Sequence, residues 1–304
     1  MIILNIQNET RQLEAVVLGI ANSFGGTPSL KACYDPKSKE HVKAGTFPKE
    51  ESIIPEMEAV RDVLENYGVK VYRPKEIEGI NQIFVRDIAF VIDDKIVLPN
   101  IIEDRVDELK GIQALIDDID THQIIKMPKE ARAEGGDVIP WNEYLFVGYS
   151  EKEDFKKFQV ARTNKEGVAF LQTTFTNRKV KAFELKKSDI NARENALHLD
   201  CCFQPIGNNQ AILFEDGFKH KEDVAFLVGY FGEENIIRIT REEMYEMNSN
   251  VFSISPKVII SEKGFARLNS ELRNRGFQVE EVPYAEIAKM EGLLRCSTMP
   301  LRRR

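Results

Sequence analysis

The chain has 304 residues, 42% of them apolar and 30% charged; these are globular proportions and exclude collagen-like and disordered classes. Lysine and arginine number 42 against 49 aspartates and glutamates, a formal charge of −7, which speaks against a nucleic-acid partner because phosphate binding wants a basic face. The sign suits a small cationic ligand, and no stretch approaches the roughly 18 apolar residues of a membrane-spanning helix.

The opening Met1-Ile2-Ile3-Leu4-Asn5-Ile6 is apolar for six residues only, without a basic start or a small-residue cleavage site; it reads as a strand, not a signal peptide. Leu13 to Ile20 reads as a second strand. The segment 21–49 shows no clear periodicity and contains Gly25-Gly26 and Pro28. It is long enough for a lid over a pocket, or for an ordered surface loop. A helix is predicted near 51–67, with Ile54, Met57, Val60, Leu64 and Tyr67 at helical spacing and Gly68 as its cap. The strand Val69-Lys70-Val71-Tyr72 follows.

From there a unit of strand, strand, helix and strand repeats. The first is Ala89 to Ile92 against Lys95 to Leu98 around Asp93-Asp94, a helix near 103–118 with Val106, Leu109, Ile112, Leu115 and Ile116 on one face, then Gln123 to Met127. The second is Asp137 to Pro140 against Tyr144 to Val147 around Trp141-Asn142, a helix near 164–173, then Val180 to Leu185. The third is Leu199 to Ile206 against Ala211 to Phe214, turning on Gly207-Asn208-Asn209, a helix near 221–231, then Ile236 to Ile239. The fourth is Val251 to Ile254 against Val258 to Ile260, a helix near 264–275, then Phe277 to Val282. A fifth is split: Cys296 to Pro300 supplies its first strand and the N-terminal elements supply the rest. A period of about 50 residues with the ends meeting predicts an α/β fold, a five-bladed propeller of ββαβ units with pseudo-fivefold symmetry. The alternative is an ordinary α/β domain with a mixed sheet. No low-complexity linker interrupts the chain, so one domain over 1–304 is expected, its fifth blade closed by the two termini. The terminal Arg302-Arg303-Arg304 reads as a solvated tail or as partners for acidic neighbours.

Out-of-place polar residues fall at one point of each unit, before or within its first strand: Asp87, then Glu134 and Asp137 around Gly135-Gly136, then His198 and Asp200, then Asn248 and Asn250, then Cys296. In a ring these positions converge on the axis. A thiol beside an imidazole is the kit for nucleophilic attack with acid–base help. Several carboxylates there would repel an anion and hold a guanidinium, whose planar fork pairs with carboxylates through two parallel hydrogen bonds. In a strand, 198 and 200 share a face, so both would point inward. Taken singly, His198 also fits a hydrogen-bonded core histidine and Cys296 a buried apolar residue. A metal at His198, Asp200, Cys201 and Cys202 is not expected, because alternation turns Cys201 away and no second ligand pair has zinc-like spacing. The four cysteines (Cys33, Cys201, Cys202, Cys296) lack a Cys-x-x-Cys pair, which fits a reduced, cytoplasmic chain.

The order Phe84-Val85-Arg86-Asp87, Glu134-Gly135-Gly136-Asp137, His198-Leu199-Asp200 and a cysteine near the C-terminus resembles the guanidino-group-modifying superfamily: arginine and agmatine deiminases, dimethylarginine dimethylaminohydrolases and amidinotransferases, the pentein fold. The resemblance implies that Cys296 attacks the guanidinium carbon, that His198 protonates the leaving amine and then activates water, and that Glu134 orients His198 or touches the guanidinium. It implies that Asp87 and Asp200 clamp the guanidinium nitrogens and that a covalent thiouronium forms on Cys296. Arg86 and Asp137 belong to the same motifs and are expected beside the substrate. Asn81 matches an arginine-deiminase position that touches the substrate carboxylate, and Arg105 is a further candidate partner for such a carboxylate. No metal or organic cofactor is implied. The branch stays open. Asp200 resembles deiminases and amidinotransferases; Glu291 to Ser297 is similar to the short ending of the dimethylarginine hydrolases, with Arg295 where deiminases and amidinotransferases carry histidine; Asn8-Glu9 and Leu13 to Gly19 are similar to the amidinotransferase opening. The expected activity is cysteine-dependent hydrolysis of the guanidino group of arginine or a derivative, with amidino transfer to an amine or a non-catalytic binding propeller as alternatives. Oligomeric state is open, since no face is conspicuously apolar.

Overall fold

Short β-branched and aromatic runs, each closed by turn residues, become strands of three to six residues in the computed structural model, which covers residues 1–304. In chain order they are β1 (Leu13–Leu18) and β2 (Lys70–Tyr72); β3 (Phe90–Ile92), β4 (Lys95–Leu98) and β5 (Ile124–Lys126); β6 (Val138–Trp141), β7 (Tyr144–Tyr149) and β8 (Lys179–Glu184). Then come β9 (Phe203–Ile206), β10 (Gln210–Leu213) and β11 (Ile236–Arg238); β12 (Phe252–Ser255), β13 (Val258–Glu262) and β14 (Gln278–Val282); and β15 (Thr298–Arg303). They form five sheets of three strands. In each, the first strand runs antiparallel to the second and the second parallel to the third. In the fifth sheet β15 supplies the first strand, with Leu18 opposite Thr298, and β1 pairs with β2. These are the five blades of an α/β propeller.

Local chemistry explains the turns. Asp93, Asn142, Asn208 and Asn209 sit at positive φ, 52°, 52°, 59° and 54°, a conformation that Asp and Asn tolerate better than other side chains. The helix Glu50–Asn66 buries Met57, Val60 and Leu64 of the stripe predicted for it, with Ile53 in place of half-buried Ile54 and Tyr67 half-buried beyond its end, and carries Glu50 and Glu51 at its positive end. No helix is long and apolar enough to cross a membrane.

Four expectations are corrected. The segment 103–118 is a 3-10 helix, Glu103–Glu108, followed by the α-helix Leu109–Asp117; the tighter winding takes Val106 off the apolar face and leaves it 45% exposed. Residues Leu199–Cys201 form a 3-10 turn, not strand, and β9 starts only at Phe203. The alternation argument therefore fails there, and His198, Asp200 and Cys201 are all buried. The segment 21–49 contains the helix Pro36–Ala44, whose N-cap Asp35 accepts from the Ser38 amide and whose end is Gly45 at φ 68°. The terminal arginines are not a solvated tail: Arg302 and Arg303 lie in β15, Arg302 pairs with Glu14 at 2.6 Å, and buried Arg303 donates to the Arg11 and Ser253 carbonyls.

The segment preceding each first strand is tied to the next repeat by hydrogen bonds that close into a ring. The Gly136 amide donates to Asp87 Oδ1 (3.2 Å), and the Leu199 amide donates to Asp137 Oδ1 (2.9 Å). Ser249 Oγ donates to the Asp200 carbonyl (2.9 Å), the Cys296 amide donates to Asn250 Oδ1 (3.1 Å), and the Arg86 amide donates to the Cys296 carbonyl (3.0 Å). The ring fixes the reactive side chains relative to one another before any ligand binds. Asp137 also accepts from Thr163 Oγ1 at 2.7 Å, so Asp137→Ala leaves two buried donors unmet. It should lower unfolding stability by about 1–3 kcal/mol in chemical denaturation. Unchanged stability together with a raised Michaelis constant would make Asp137 a substrate ligand instead of a strut.

Candidate active site

Asp87, Arg105, Glu134, His198 and Cys296 line one narrow cleft. Each is placed by a tight local structure. Asp87 lies in the four-residue helix Val85–Ile88, Glu134 and His198 each cap a 3-10 turn, and Cys296 sits two residues before β15. Gly136 is required by this crowding, since a Cβ there would lie 2.7 Å from the His198 ring and 2.9 Å from Asp87 Oδ1.

His198 Nε2 and Glu134 Oε2 are 2.8 Å apart, and Nδ1 is 3.7 Å from Asp87 Oδ1 without a hydrogen-bond partner. Burial pulls the imidazolium down, but the charges of Asp87, Glu134 and Asp137 outweigh it and hold the His198 pKa at about 9. Glu134 is pushed up by burial and pulled further down by Arg162 and His198, to about 2. The resting pair is an imidazolium on a carboxylate. Cys296 is the opposite case: burial, then Asp200 and Asp87, push its thiol well above the ordinary range. Its Sγ lies 3.2 Å from Asn250 Nδ2 and 3.8 Å from Asp200 Oδ2. At rest a protonated thiol shares the cleft with a protonated imidazole.

The other expected residues are each engaged by the protein, and all but Arg105 lie outside the cleft. Asp200 is fully buried beneath the thiol and accepts from Arg295 Nη1 at 2.7 Å. Arg86 lies behind the cysteine, its Nε donating to the Arg295 carbonyl and its Nη1 3.5 Å from Glu9. Asp137 holds the His198 turn. Asn81 lines a second, outer cavity; its Oδ1 accepts from the Ile83 amide and its Nδ2 faces Met290 Sδ at 3.9 Å. Arg105 lines the cleft but is saturated by Glu108 and Asp87, both at 2.7 Å, and by the Phe84 carbonyl at 2.8 Å. Burial and the neighbouring carboxylates keep Glu108 at about 7 even so.

Tyr34, Asp35, Arg162 and Glu291 complete the cleft and were not singled out from sequence. Arg162 donates to the Gln159 and Tyr34 carbonyls and lies 3.5 Å from Glu134. Glu291 accepts from Asn195 Nδ2 (2.6 Å) and the Lys37 amide (3.2 Å), and burial beside Asp35 pushes its pKa well up. The signal for Asp35 was Asp-Pro, an N-cap followed by proline at the first helical position. Donor atoms of Asp87, Glu134 and His198 lie within 4.8 Å of one another, but the arginines on both carboxylates and the proton on His198 oppose a metal cation there.

The family described as N,N dimethylarginine dimethylhydrolase, eukaryotic, matches residues 38–303. YkgA of Bacillus subtilis (strain 168) is 29% identical over 243 residues, 79% of this chain and 77% of that one. ZK1307.1 of Caenorhabditis elegans is 26% identical over 253 residues, 80% of this chain and 81% of that one. Among solved structures, the N-terminal domain of ArgZ, an arginine dihydrolase of Cyanobacteria, superposes with TM-score 0.78 at 16% identity over 96% of this chain and 98% of that one. SxtG, an amidinotransferase from Microseira wollei, superposes with TM-score 0.76 at 17% identity over 99% and 97%. The fold is thus that of the guanidino-group-modifying superfamily, the penteins. Within it, the chain belongs to the N,N dimethylarginine dimethylhydrolase family, and its chemistry is on guanidino groups.

Removing the carboxylate that holds the imidazolium should release its proton earlier. In Glu134→Gln the His198 pKa, read by imidazole NMR titration, should fall to about 7–8, the equivalent of one charge-assisted hydrogen bond. A titration unchanged from wild type would contradict the pairing.

Proposed function

We propose that the protein is a cysteine hydrolase of a small arginine-like guanidine, working through a covalent thiouronium on Cys296. The observation that carries this reading is the meeting of thiol, imidazolium–carboxylate pair and Asp87 in one buried cleft. A guanidinium entering it donates to the remaining lone pair of Asp87 Oδ1, which also accepts from the Gly136 amide, while Oδ2 is held by Arg105. Its positive charge offsets the field of Asp87 and Asp200 that keeps the thiol protonated, so the thiol gives its proton up to solvent and the thiolate forms only once substrate is bound. The thiolate attacks the guanidinium carbon. The imidazolium of His198 gives its proton to the leaving amine, the carbon–nitrogen bond breaks, and the thiouronium remains. Neutral His198 then takes a proton from water, the resulting hydroxide attacks the same carbon, and collapse releases a ureido product and the thiolate.

In this reading Asp200 does not clamp a substrate nitrogen; Arg295 already occupies it, and its part is to set the field under the thiol. The reading uses no metal and no organic cofactor, takes the chain as one domain, and sets it in the cytoplasm, where its four free cysteines stay reduced.

A ureido-product colour assay on a panel of arginine, methylated and acylated arginines and agmatine, each with and without glycine, tests it. At least one guanidine should give product, and Cys296→Ala should lower turnover on the order of 10³-fold or more. An undiminished rate in that variant would overturn the mechanism, and a product altered by glycine would make the enzyme an amidinotransferase. The pH profile carries a second expectation. His198 must start protonated, and its pKa is raised to about 9, while the resting thiol must lose its proton, so kcat/KM should rise with pH through neutrality and show no alkaline fall below about pH 9. An alkaline limb below pH 7 would show that His198 does not act as the acid.

A further inference from the structure

Arg295 is fully buried beside the nucleophile. Its guanidinium donates from Nη1 to Asp200 Oδ2 at 2.7 Å and from Nη2 to Glu9 Oε1 at 3.1 Å and the Val138 carbonyl at 2.9 Å. Asp200 Oδ2 is also the oxygen that faces the thiol, 3.8 Å from Cys296 Sγ, while Oδ1 turns toward Cys201 Sγ. A guanidinium carbon poised for attack lies roughly 3–3.5 Å from the attacking sulfur, and its nitrogens are one bond further on. A nitrogen on that side meets a carboxylate oxygen that already holds the protein's own guanidinium.

The cleft has little acceptor capacity to replace it. Asp87 Oδ2 is taken by Arg105, and Oδ1 accepts from the Gly136 amide with one lone pair left. Glu134 is shared among His198, the Ile102 amide and Arg162, and Glu291 between Asn195 and the Lys37 amide. The remaining walls include Phe84, Leu197 and Met290. A bare guanidinium brings more N–H donors than these oxygens accept, and a buried donor without an acceptor is costly. An N-alkyl group removes a donor and adds apolar surface to set against those walls.

We propose, resting on the functional reading above, that Arg295 determines which guanidines the site accepts. By taking Asp200 Oδ2 it leaves a grip of one carboxylate, Asp87, and so admits a guanidine that carries alkyl groups on a terminal nitrogen. Arg295 touches no substrate atom; it is a positioning residue that acts through Asp200. Without it Asp200 offers a second charged acceptor, which only a nitrogen still bearing N–H can use, and the site turns toward unsubstituted guanidines.

L-Arginine and its derivative with two methyl groups on one terminal nitrogen are the matched pair. The concentration of each that protects Cys296 from alkylation by 2-chloroacetamidine, read by mass spectrometry, measures binding whether or not the compound turns over. In Arg295→Met the protecting concentration of arginine should fall about tenfold or more relative to that of the dimethyl derivative, the worth of one charge-assisted hydrogen bond. Arg295→Lys, which keeps a cation on Asp200, should hold the wild-type ratio, and adding Asp200→Asn to Arg295→Met should restore it. Asp200→Asn alone keeps an acceptor for Arg295 and does not depend on the methionine variant folding; its ratio should stay within about twofold of wild type, whatever the absolute values. An unmoved ratio in folded Arg295→Met overturns the inference and leaves the functional reading standing. So does an Asp200→Asn variant that loses arginine about tenfold while keeping the dimethyl derivative, because Asp200 would then grip substrate with Arg295 in place. A wild-type Cys296 that is labelled but that neither guanidine protects, or that no amidine labels at any pH, sinks the functional reading and the inference with it.

Discussion

The structure depends on a closed ring of hydrogen bonds around the propeller axis. Each repeat hands a donor or acceptor to the next, from Asp87 to Gly136, Asp137 to Leu199, Asp200 to Ser249, Asn250 to Cys296, and Cys296 back to Arg86. None of these links exists within one repeat, so the geometry at the centre is a property of the assembled ring. That is why a thiol, an imidazole and several carboxylates scattered over some two hundred residues act as one site. It also explains why motif residues such as Asp137 and Arg86 are buried without touching the cleft: they are struts of the ring that carries the reactive groups.

The same centre has a charge problem. Behind the thiol, Arg295 joins Glu9 at 3.1 Å to Asp200 at 2.7 Å and donates to the Val138 carbonyl. Arg86 and Arg303 crowd the same place, and burial with mutual repulsion lowers them to about 10 and about 9. In front of the thiol, Asp87 and Glu134 are balanced by Arg105, Arg162 and protonated His198. Burying so many charges is costly and is weak evidence of stability. In the proposed mechanism its use is electrostatic preorganisation: the thiol is held protonated until a cation displaces the balance, and the acid for the leaving group waits with its proton on. The internal guanidinium groups on Asp200 and Asp87 show that these carboxylates accept such a partner within the fold. They also take up the capacity that a two-aspartate clamp would need.

Much of this was legible in the sequence. The hairpins announced themselves through Asp93, Asn142 and Asn208-Asn209, and the long helix through Met57, Val60 and Leu64, although its buried edge begins at Ile53 and not at Ile54. The five equivalent positions from Asp87 to Cys296 could be aligned because the repeat is regular. What escaped notice has physical reasons. The helix Pro36–Ala44 buries Lys37 and Ser38, so it carries no apolar stripe to detect. The turn at Leu199–Cys201 has the same alternation as the strand that follows, and only the bond from the Leu199 amide to Asp137 decides between them. The arginines were hardest: a lone arginine reads as surface, and nothing local tells that Arg295 meets Glu9, 286 positions away. So Asp200 looked free, and Arg105 looked available.

The account stands or falls on the covalent step at Cys296. Acid-quenched turnover with a guanidine that yields ureido product, followed by peptide mass spectrometry, looks at that step directly. The account predicts a mass gain equal to the substrate less its leaving amine, confined to the peptide carrying Cys296 and present only during turnover. Sustained product formation with that peptide unmodified at every quench time, including when His198→Ala slows the later hydrolysis, would contradict it.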